Sequence, residues 1–373
     1  MTYVKIGIAL KTANLFFILI LLNVICGCQT SQRIGIDGMP MKNARLRWGA
    51  FFGSPFGMRF TDPDNLGKHY SNFRGGEKNG MLYTCRGGFI DVGHVREAAD
   101  RTAFVKEFVQ CCLLENKSEF SFNVIEPSKY FVKISYPSDW QNYSKETREA
   151  FANEVAIDIG QYVAHTSLIW HEIITWFGFA TVAGFPDKIS SFSWEDSYSD
   201  VLGTVLGAAA LRQTNQTYDE AMTRLMDEEM KLLEVQSPQV ARKAANAIKG
   251  KWYTGGMYYF VKMKKHNFDV GFDDGMVAPV RVPGFCYESE PKLYDAPKLQ
   301  SLWKHGFGFS VEIEPRIIEK NKIYSLIGLE KNKLIKPNIH FARVIEHLEN
   351  RSNLAYSPKS KKKERNGENV KSQ

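Results

Sequence analysis

Between residues 145 and 179 the chain reads as one long helix that grows steadily more apolar and ends SLIWHEIITWFG at residues 167–178. A helix built of Leu168, Ile169, Trp170, Ile173, Ile174, Trp176 and Phe177 belongs in an interior, so the rest of the fold must be arranged around it. Its centre nevertheless holds His171 and Glu172. A buried carboxylate without a partner is costly, so neighbouring segments must supply one. The pair opens the zinc-protease pattern H-E-x-x-H, but Thr175 stands where the second histidine is needed. Consecutive helical residues point about 100° apart, so His171 and Glu172 form no chelate of their own. Glu172 shares a stripe with His165, Gln161 and Asp158. His165 lies two turns back, about 10.5 Å of rise, too far to share one ion comfortably.

Partners must then come from elsewhere. Asp196 and Asp200 stand four apart, a spacing that lets two carboxylates clamp one cation. Asp196 also fits a capping box opened by Ser193, the plainer reading. Asp91 and His94, in FIDVGHVREAAD, stand three apart where a helix begins; Asp91 suits an N-cap and His94 a core position. His69 lies in a loop just upstream. If these segments converge, His69, His94, His171, Asp196 and Asp200 make a mixed nitrogen and oxygen site for zinc, manganese or iron, with Glu172 or Glu195 as general base. That set points to metal-assisted hydrolysis. The alternative is a polar core without a metal or other cofactor, in a non-catalytic binding or scaffold protein.

The N-terminus sets the compartment. Lys5 and Lys11 precede the apolar residues 13–25, a run too short to span a ~30 Å hydrocarbon layer, so residues 1–27 read as a signal peptide. It closes Ile25-Cys26-Gly27-Cys28, which resembles the lipobox of bacterial lipoproteins. That resemblance implies acylation of Cys28, a membrane held through the lipid and, with Gln29 following, the periplasmic face of the outer membrane. Cys26 departs mildly from the usual pattern. A lipid-anchored exported chain of formal net charge +7 excludes nucleic acid as an expected partner. Much of the charge sits in the tail around Lys359, Lys361, Lys362, Lys363 and Arg365.

Disulfides persist outside the cytoplasm, so Cys85 with Cys286 is a plausible bridge, while Cys111 and Cys112 lie in a helical apolar run and read as buried thiols. A cysteine nucleophile working with His94 fits poorly, since neither Cys85 nor Cys286 opens a helix. NFDVGFDDG at residues 267–275 lacks the spacing of a calcium loop and reads as a turn.

The expected fold is α+β and mainly helical: a helical core with short strands or hairpins, most of them in the C-terminal third. Residues 28–65 form an irregular lead-in, 66–350 one globular domain, and 351–373 a basic tail, with no internal repeat. Helices are expected from Asp91 to about Leu114 (paired Glu97/Arg101 and Arg96/Asp100), from Ser193, and over 217–235, 238–249 and 338–350. Residues 82–90 read as a strand broken by Gly87 and Gly88, 120–125 and 130–136 as a hairpin, and 277–282, 309–313 and 322–329 as strands.

The stretches GMLYTCRGGFIDVGHVREAAD, WHEIITWFG, SFSWEDSYSDVLG and APVRVPGFC together resemble an uncharacterised family of bacterial lipoproteins, domain of unknown function 4056, over about residues 47–350. The resemblance implies location and domain extent but no reaction. The polar positions it picks out are His69, Asp91, His94, Arg96, His171, Glu172, Glu195 and Asp196.

The anchor is directly testable. Cys28→Ala is expected to abolish lipid labelling and leave the precursor unprocessed. Labelling and processing equal to wild type would remove the anchor from this reading.

Overall fold

The computed structural model describes residues 44, 45, 47, 60–70, 76–124, 126–180, 190–254 and 262–356. The signal peptide of residues 1–27, Cys28 and tail residues 357–373 lie outside them.

Three long helices organise the core, and their ends follow from local chemistry. Helix α1 (Val92–Leu114) starts where the extended Asp91 accepts from the Gly93 and His94 amides. Helix α2 (Lys145–Trp176) starts where Ser144 accepts from the Thr147 amide. It stops at Phe177, with Gly178 beyond it at φ +109°, a conformation suited to glycine. Helix α3 is Asp196–Leu211.

Glycines set how closely these helices meet. A Cβ on Gly203 would stand 2.3 Å from the Val95 carbonyl oxygen, and one on Gly207 would stand 2.8 Å from the Ala99 Cα. The matching order, 95 with 203 and 99 with 207, makes α1 and α3 parallel. Gly160 of α2 meets α1 the same way, its Cβ position 2.7 Å from the Thr102 carbonyl oxygen. Farther along α2, Ser167 meets Arg101, so these two helices run antiparallel. The C-terminal end of α2 and the N-terminal ends of α1 and α3 therefore come together.

Around this trio, α4 (Tyr218–Leu232) begins with a full capping box of Thr217 and Glu220 and buries Met222, Met226 and Met230 as a stripe. Helix α5 (Pro238–Ile248) is capped by Ser237. A short hairpin of β1 (Met81–Thr84) and β2 (Gly88–Asp91) runs straight into α1. β3 (Glu119–Phe122), β4 (Lys129–Ser135) and the distant β9 (Gly308–Glu314) form an antiparallel sheet, with Phe122 opposite Tyr130 and Val132 opposite Val311. Tyr130, Val132 and Ile134 alternate inward from β4 onto a core shared with Trp170, Ile173 and Ile174. Two-residue strands pair as β5 (Tyr253–Thr254) with β6 (Lys262–Met263) and β7 (Met276–Val277) with β8 (Tyr294–Asp295). Helices α6 (Gln300–Lys304), α7 (Lys320–Ile327) and α8 (Pro337–Tyr356) complete the described chain. A disulfide joins Cys85 to Cys286, and Cys111 and Cys112 are thiols on α1. No helix among the described residues is long and apolar enough to cross a membrane.

The architecture is α+β and mainly helical, but several local readings change. Residues 322–329 are helix α7 rather than a strand: Ile323, Tyr324 and Ile327 are buried at spacings of one and three, a helical face, and Gly328 closes the helix in the left-handed conformation. Ser193 does not cap α3. The helix opens three residues later after Glu195, and the Ser193 amide donates to the Asp196 carboxylate instead. Residues 82–90 are two strands of a hairpin, of 277–282 only Val277 is in a strand, and the last helix runs on to Tyr356. Arg96 and Asp100 form no pair: Arg96 donates to the Leu66, Gly67 and Lys78 carbonyls and to Asn79, while Asp100 takes other partners.

The close approach of α1 and α3 yields a stability test. Gly203→Ala forces a methyl against a backbone carbonyl, and overpacking of this kind costs about 1–3 kcal/mol. Urea unfolding should show a lower midpoint by that amount; an unchanged midpoint would contradict the contact.

Candidate functional site

The convergence of three helix ends places the polar residues of WHEIITW, FIDVGH and SFSWEDSYSD in one region. Asp91 caps α1 and His94 lies on its first turn, Glu195, Asp196 and Asp200 are at the start of α3, and His171 and Glu172 are near the end of α2. His94 Nδ1 lies 3.1 Å from Asp196 Oδ1 and 4.0 Å from Asp91 Oδ2. The Asp91 amide donates to the Ser199 hydroxyl at 3.0 Å, tying the two helix starts together.

Glu172 is held by the segment leading into α3. The Phe192 amide donates to its carboxylate, and the Ser191 hydroxyl donates to its carbonyl at 2.7 Å. Phe192 is buried and has φ +51°, a backbone region uncommon for a bulky residue and costly to hold. The Asn267 amide donates to the Phe192 carbonyl, and His266 Nδ1 sits 3.0 Å from the Ser191 carbonyl oxygen. His94 remains 32% exposed and His171 26% exposed, so the carboxylates are buried beneath two imidazoles that reach solvent.

Charge is badly balanced here. Burial, and then the neighbouring Asp196, push the Glu172 and Glu195 carboxyls well above their ordinary range. Burial raises Asp200 to about 7 despite the attraction of His94. Burial acts against the charged form of His94, but Asp91 and Asp196 outweigh it and hold the imidazole well above its usual value. Glu195 Oε2 has no hydrogen-bond partner among the described residues. A buried oxygen left without a donor is a costly arrangement.

A second layer continues from His171. Glu126, buried in the β3–β4 turn, lies 2.7 Å from Arg101 Nη1 and 3.1 Å from His171 Nδ1. Both contacts are ion pairs that fall short of hydrogen-bond geometry at the carboxylate. Burial alone would raise Glu126, yet Arg101 and His171 bring it down to about 2. Burial alone would lower His171, yet Glu126 lifts it to about 9. Arg101 also pairs with Glu97 at 2.7 Å and donates to the Ser167 hydroxyl at 3.2 Å. Glu126 had no signal in the sequence beyond its place in a Glu-Pro-Ser turn, and Arg101 read only as the partner of Glu97.

His69 does not join the site. Its Nε2 is 2.9 Å from Asp100 Oδ1, in a separate buried cluster where Asp100 also takes Arg47 at 2.6 Å and Arg45 at 2.8 Å. Burial lowers the His69 imidazole, and His69 and Arg47 carry Asp100 far below the carboxylate range. His165 is also elsewhere: its Nε2 is 3.2 Å from the Val270 carbonyl oxygen, and burial lowers it to about 4. Asp158 accepts from Ser301 and Arg212.

As the side chains stand, no group of three or more His, Cys, Asp or Glu among the described residues could hold a metal ion. His94 with Asp196 is the tightest pair within the cluster. A cation held there would need Asp91, Glu172 or Asp200 to turn toward that pair.

A family model described as "Protein of unknown function (DUF4056)" matches residues 59–259. It spans His69, the hairpin and the whole cluster, but stops before APVRVPGFC and short of the extent expected from the motifs. No curated protein and no solved structure gave a match.

The proton balance predicts how stability varies with pH in chelator-treated protein. Asp200 is raised from 3.8 to about 7 and His171 from 6.5 to about 9, and Glu172, facing Asp196, Asp200 and His171, is raised as well. For each group the folded protein keeps a proton that the unfolded chain has already released. This part of the stability is complete at low pH and is lost between about pH 4 and pH 9. Glu126 has the opposite sign, its contribution being lost only below its ordinary 4.5 as pH falls toward about 2. Above about pH 6.5, where His69 and His165, both lowered by burial, no longer change charge, unfolding stability should therefore decline steadily toward about pH 9. Glu126→Gln should bring the His171 titration down from about 9 toward or below its ordinary value, read by NMR of the ring proton. A His171 titration unmoved by that substitution would break the assigned pair.

Proposed function

The chain belongs to the DUF4056 family of proteins of unknown function, and from that premise we propose that the cluster at the helix ends is a hydrolytic centre that takes a divalent cation. The protein would work on a component of the bacterial envelope while held at the outer membrane through acylated Cys28. The observation that carries the reading is the charge surplus. Glu97, Glu126, Glu172, Glu195, Asp196 and Asp200 form one electrostatically linked group with Asp91, and the positive groups seen to act on it among the described residues are His94, His171 and Arg101, with the His266 imidazole also near Asp196. Buried like charges either keep protons or gather a cation.

The donor set of imidazole and carboxylate suits zinc, manganese or iron, and the unbonded Glu195 oxygen is a group in need of a partner. His94, Asp196 and Asp200 would hold the ion, which would supply Lewis acidity when bound. Glu195 retains its proton because burial and Asp196 disfavour its charge, so it can donate to a leaving group. Glu172, oriented by the Phe192 amide, can accept a proton near neutrality, where its raised basicity is useful. Glu126 keeps His171 charged and in place beside it, against the opposing charge of Arg101.

Two measurements separate this reading from a non-catalytic polar core. Adding zinc, manganese or iron to chelator-treated protein should raise the melting temperature, with stabilisation of about 2.7 kcal/mol at a hundredfold excess over Kd. Asp196→Asn should remove the shift. Glu172→Gln relieves repulsion, so it should fold at least as well as wild type yet fail to complement a deletion strain. A core built for structure alone gives neither a cation response nor loss of function with the fold intact. If Glu172 instead served to balance a buried cation, the same substitution would cost about 3–5 kcal/mol.

A further inference from the structure

Beyond the residues matched by the family model, α7 and α8 pack together and leave an open groove of about 470 Å³ against the end of α2. Helix α7 contributes Asn321, Lys322, Ser325 and Leu326, α8 contributes His347 and Arg351, and Phe177 closes the floor. A smaller cleft continues between Trp176, Phe177, Lys322 and Arg351. The lining thus combines two fixed cations, an imidazole, an amide and a hydroxyl with an aromatic and aliphatic wall.

Arg351 and His347 sit one turn apart on α8. Neither side chain has an ion pair or hydrogen bond with another described residue. Lys322 pairs with Glu319 at 2.6 Å, but that contact is exposed and is worth little to either side. Surface cations are normally scattered among carboxylates; here they converge on a concave, partly apolar surface. A guanidinium fork with an ammonium and neutral donors beside it matches the several oxygens of a phosphate better than a single carboxylate.

We propose that this groove binds a phosphate monoester carried on an apolar body, the phosphate held by Arg351 and Lys322 with Ser325 and Asn321, and the apolar part lying on Phe177, Leu326 and Trp176. The site is distinct from the carboxylate cluster and does not depend on its chemistry. It is nevertheless close: Trp176 follows Glu172 by four residues, about 6 Å along the helix. A soluble phosphate ester and a lipid phosphate headgroup share this chemistry.

The test is direct binding to the full chain in detergent, with activity playing no part. Phenyl phosphate titrated by calorimetry should bind more tightly than inorganic phosphate, because only the ester covers the aromatic wall. Arg351→Gln and Lys322→Gln should each weaken it roughly tenfold, the loss of one charge-assisted contact. Both side chains are exposed, so the fold should survive, and Lys298→Gln on a distant surface should change nothing. In co-sedimentation, vesicles of phosphatidylcholine with phosphatidic acid should retain wild type more strongly than Arg351→Gln if the natural source is lipid. Any contribution of the anchor is common to both proteins. Equal retention with intact phenyl phosphate binding points to a soluble ester. The proposal is overturned if neither probe binds, if inorganic phosphate binds as tightly as the ester, or if the two substitutions bind like wild type. Because Glu172→Gln should leave this binding unaltered, failure here and failure of the hydrolytic reading are separable.

Discussion

Everything else in the molecule depends on how closely α1 can be approached from two sides. At Gly203 and Gly207 on α3 and at Gly160 on α2 there is no room for a Cβ against the α1 backbone. Backbone contact at these points settles direction as well as distance. α3 lies parallel to α1 and α2 antiparallel, so two helix starts and one helix end are forced into the same place. The partial positive charge at the starts of α1 and α3 offsets some of the cost of collecting carboxylates there. It cannot offset all of it, because each helix end contributes only about half an elementary charge.

That shortfall gives the region its character. Asp196 is shared between His94 and the Ser193 amide, Glu172 is held by the strained Phe192 backbone, and Glu195 is buried with an oxygen unbonded. A core evolved for stability alone would more cheaply replace these groups with apolar ones of the same size. The Glu126, Arg101 and His171 layer behaves differently: opposite charges meet at close range, and each carries the other away from its ordinary proton affinity. One layer is repulsive and the other attractive, and they meet where His171 adjoins Glu172.

The second buried cluster, around Asp100, does structural work. Arg45 and Arg47 come from the lead-in that follows the proposed lipid anchor, and both close on a carboxylate of α1. Arg47 further pairs with Glu77, and its amide donates to Glu97, which in turn holds Arg101. The lead-in is thereby fastened to the same helix that carries His94. His69 belongs to this fastening, which is why it stands apart from the candidate site.

The sequence by itself determined the fold class, the N-cap of α1, the helices α4 and α5, the β3–β4 hairpin and the polar residues of α1, α2 and α3 that had to find partners. These are local matters: a capping oxygen reaches amides two or three residues away, and a carboxylate in an apolar helix declares its own need. Gly203 and Gly207 of α3 leave room for another helix to come close, but nothing in their sequence neighbourhood says which one. Only the tertiary structure decided that α1 fills that role, and hence that Asp91 and His94 meet Asp196 while His69 meets Asp100. Glu126 is the clearest case. Its turn gave no reason to expect a buried charge, because burial there is created by α1 and α2 passing over it with Arg101 and His171. The exchange of an expected strand for helix α7 has the same origin. Residues 322–329 suit either periodicity, and packing against α8 selected the helical face of Ile323, Tyr324 and Ile327. Local propensity is read from neighbours in sequence, whereas the pairing of charges and the choice between near-equal periodicities depend on neighbours in space.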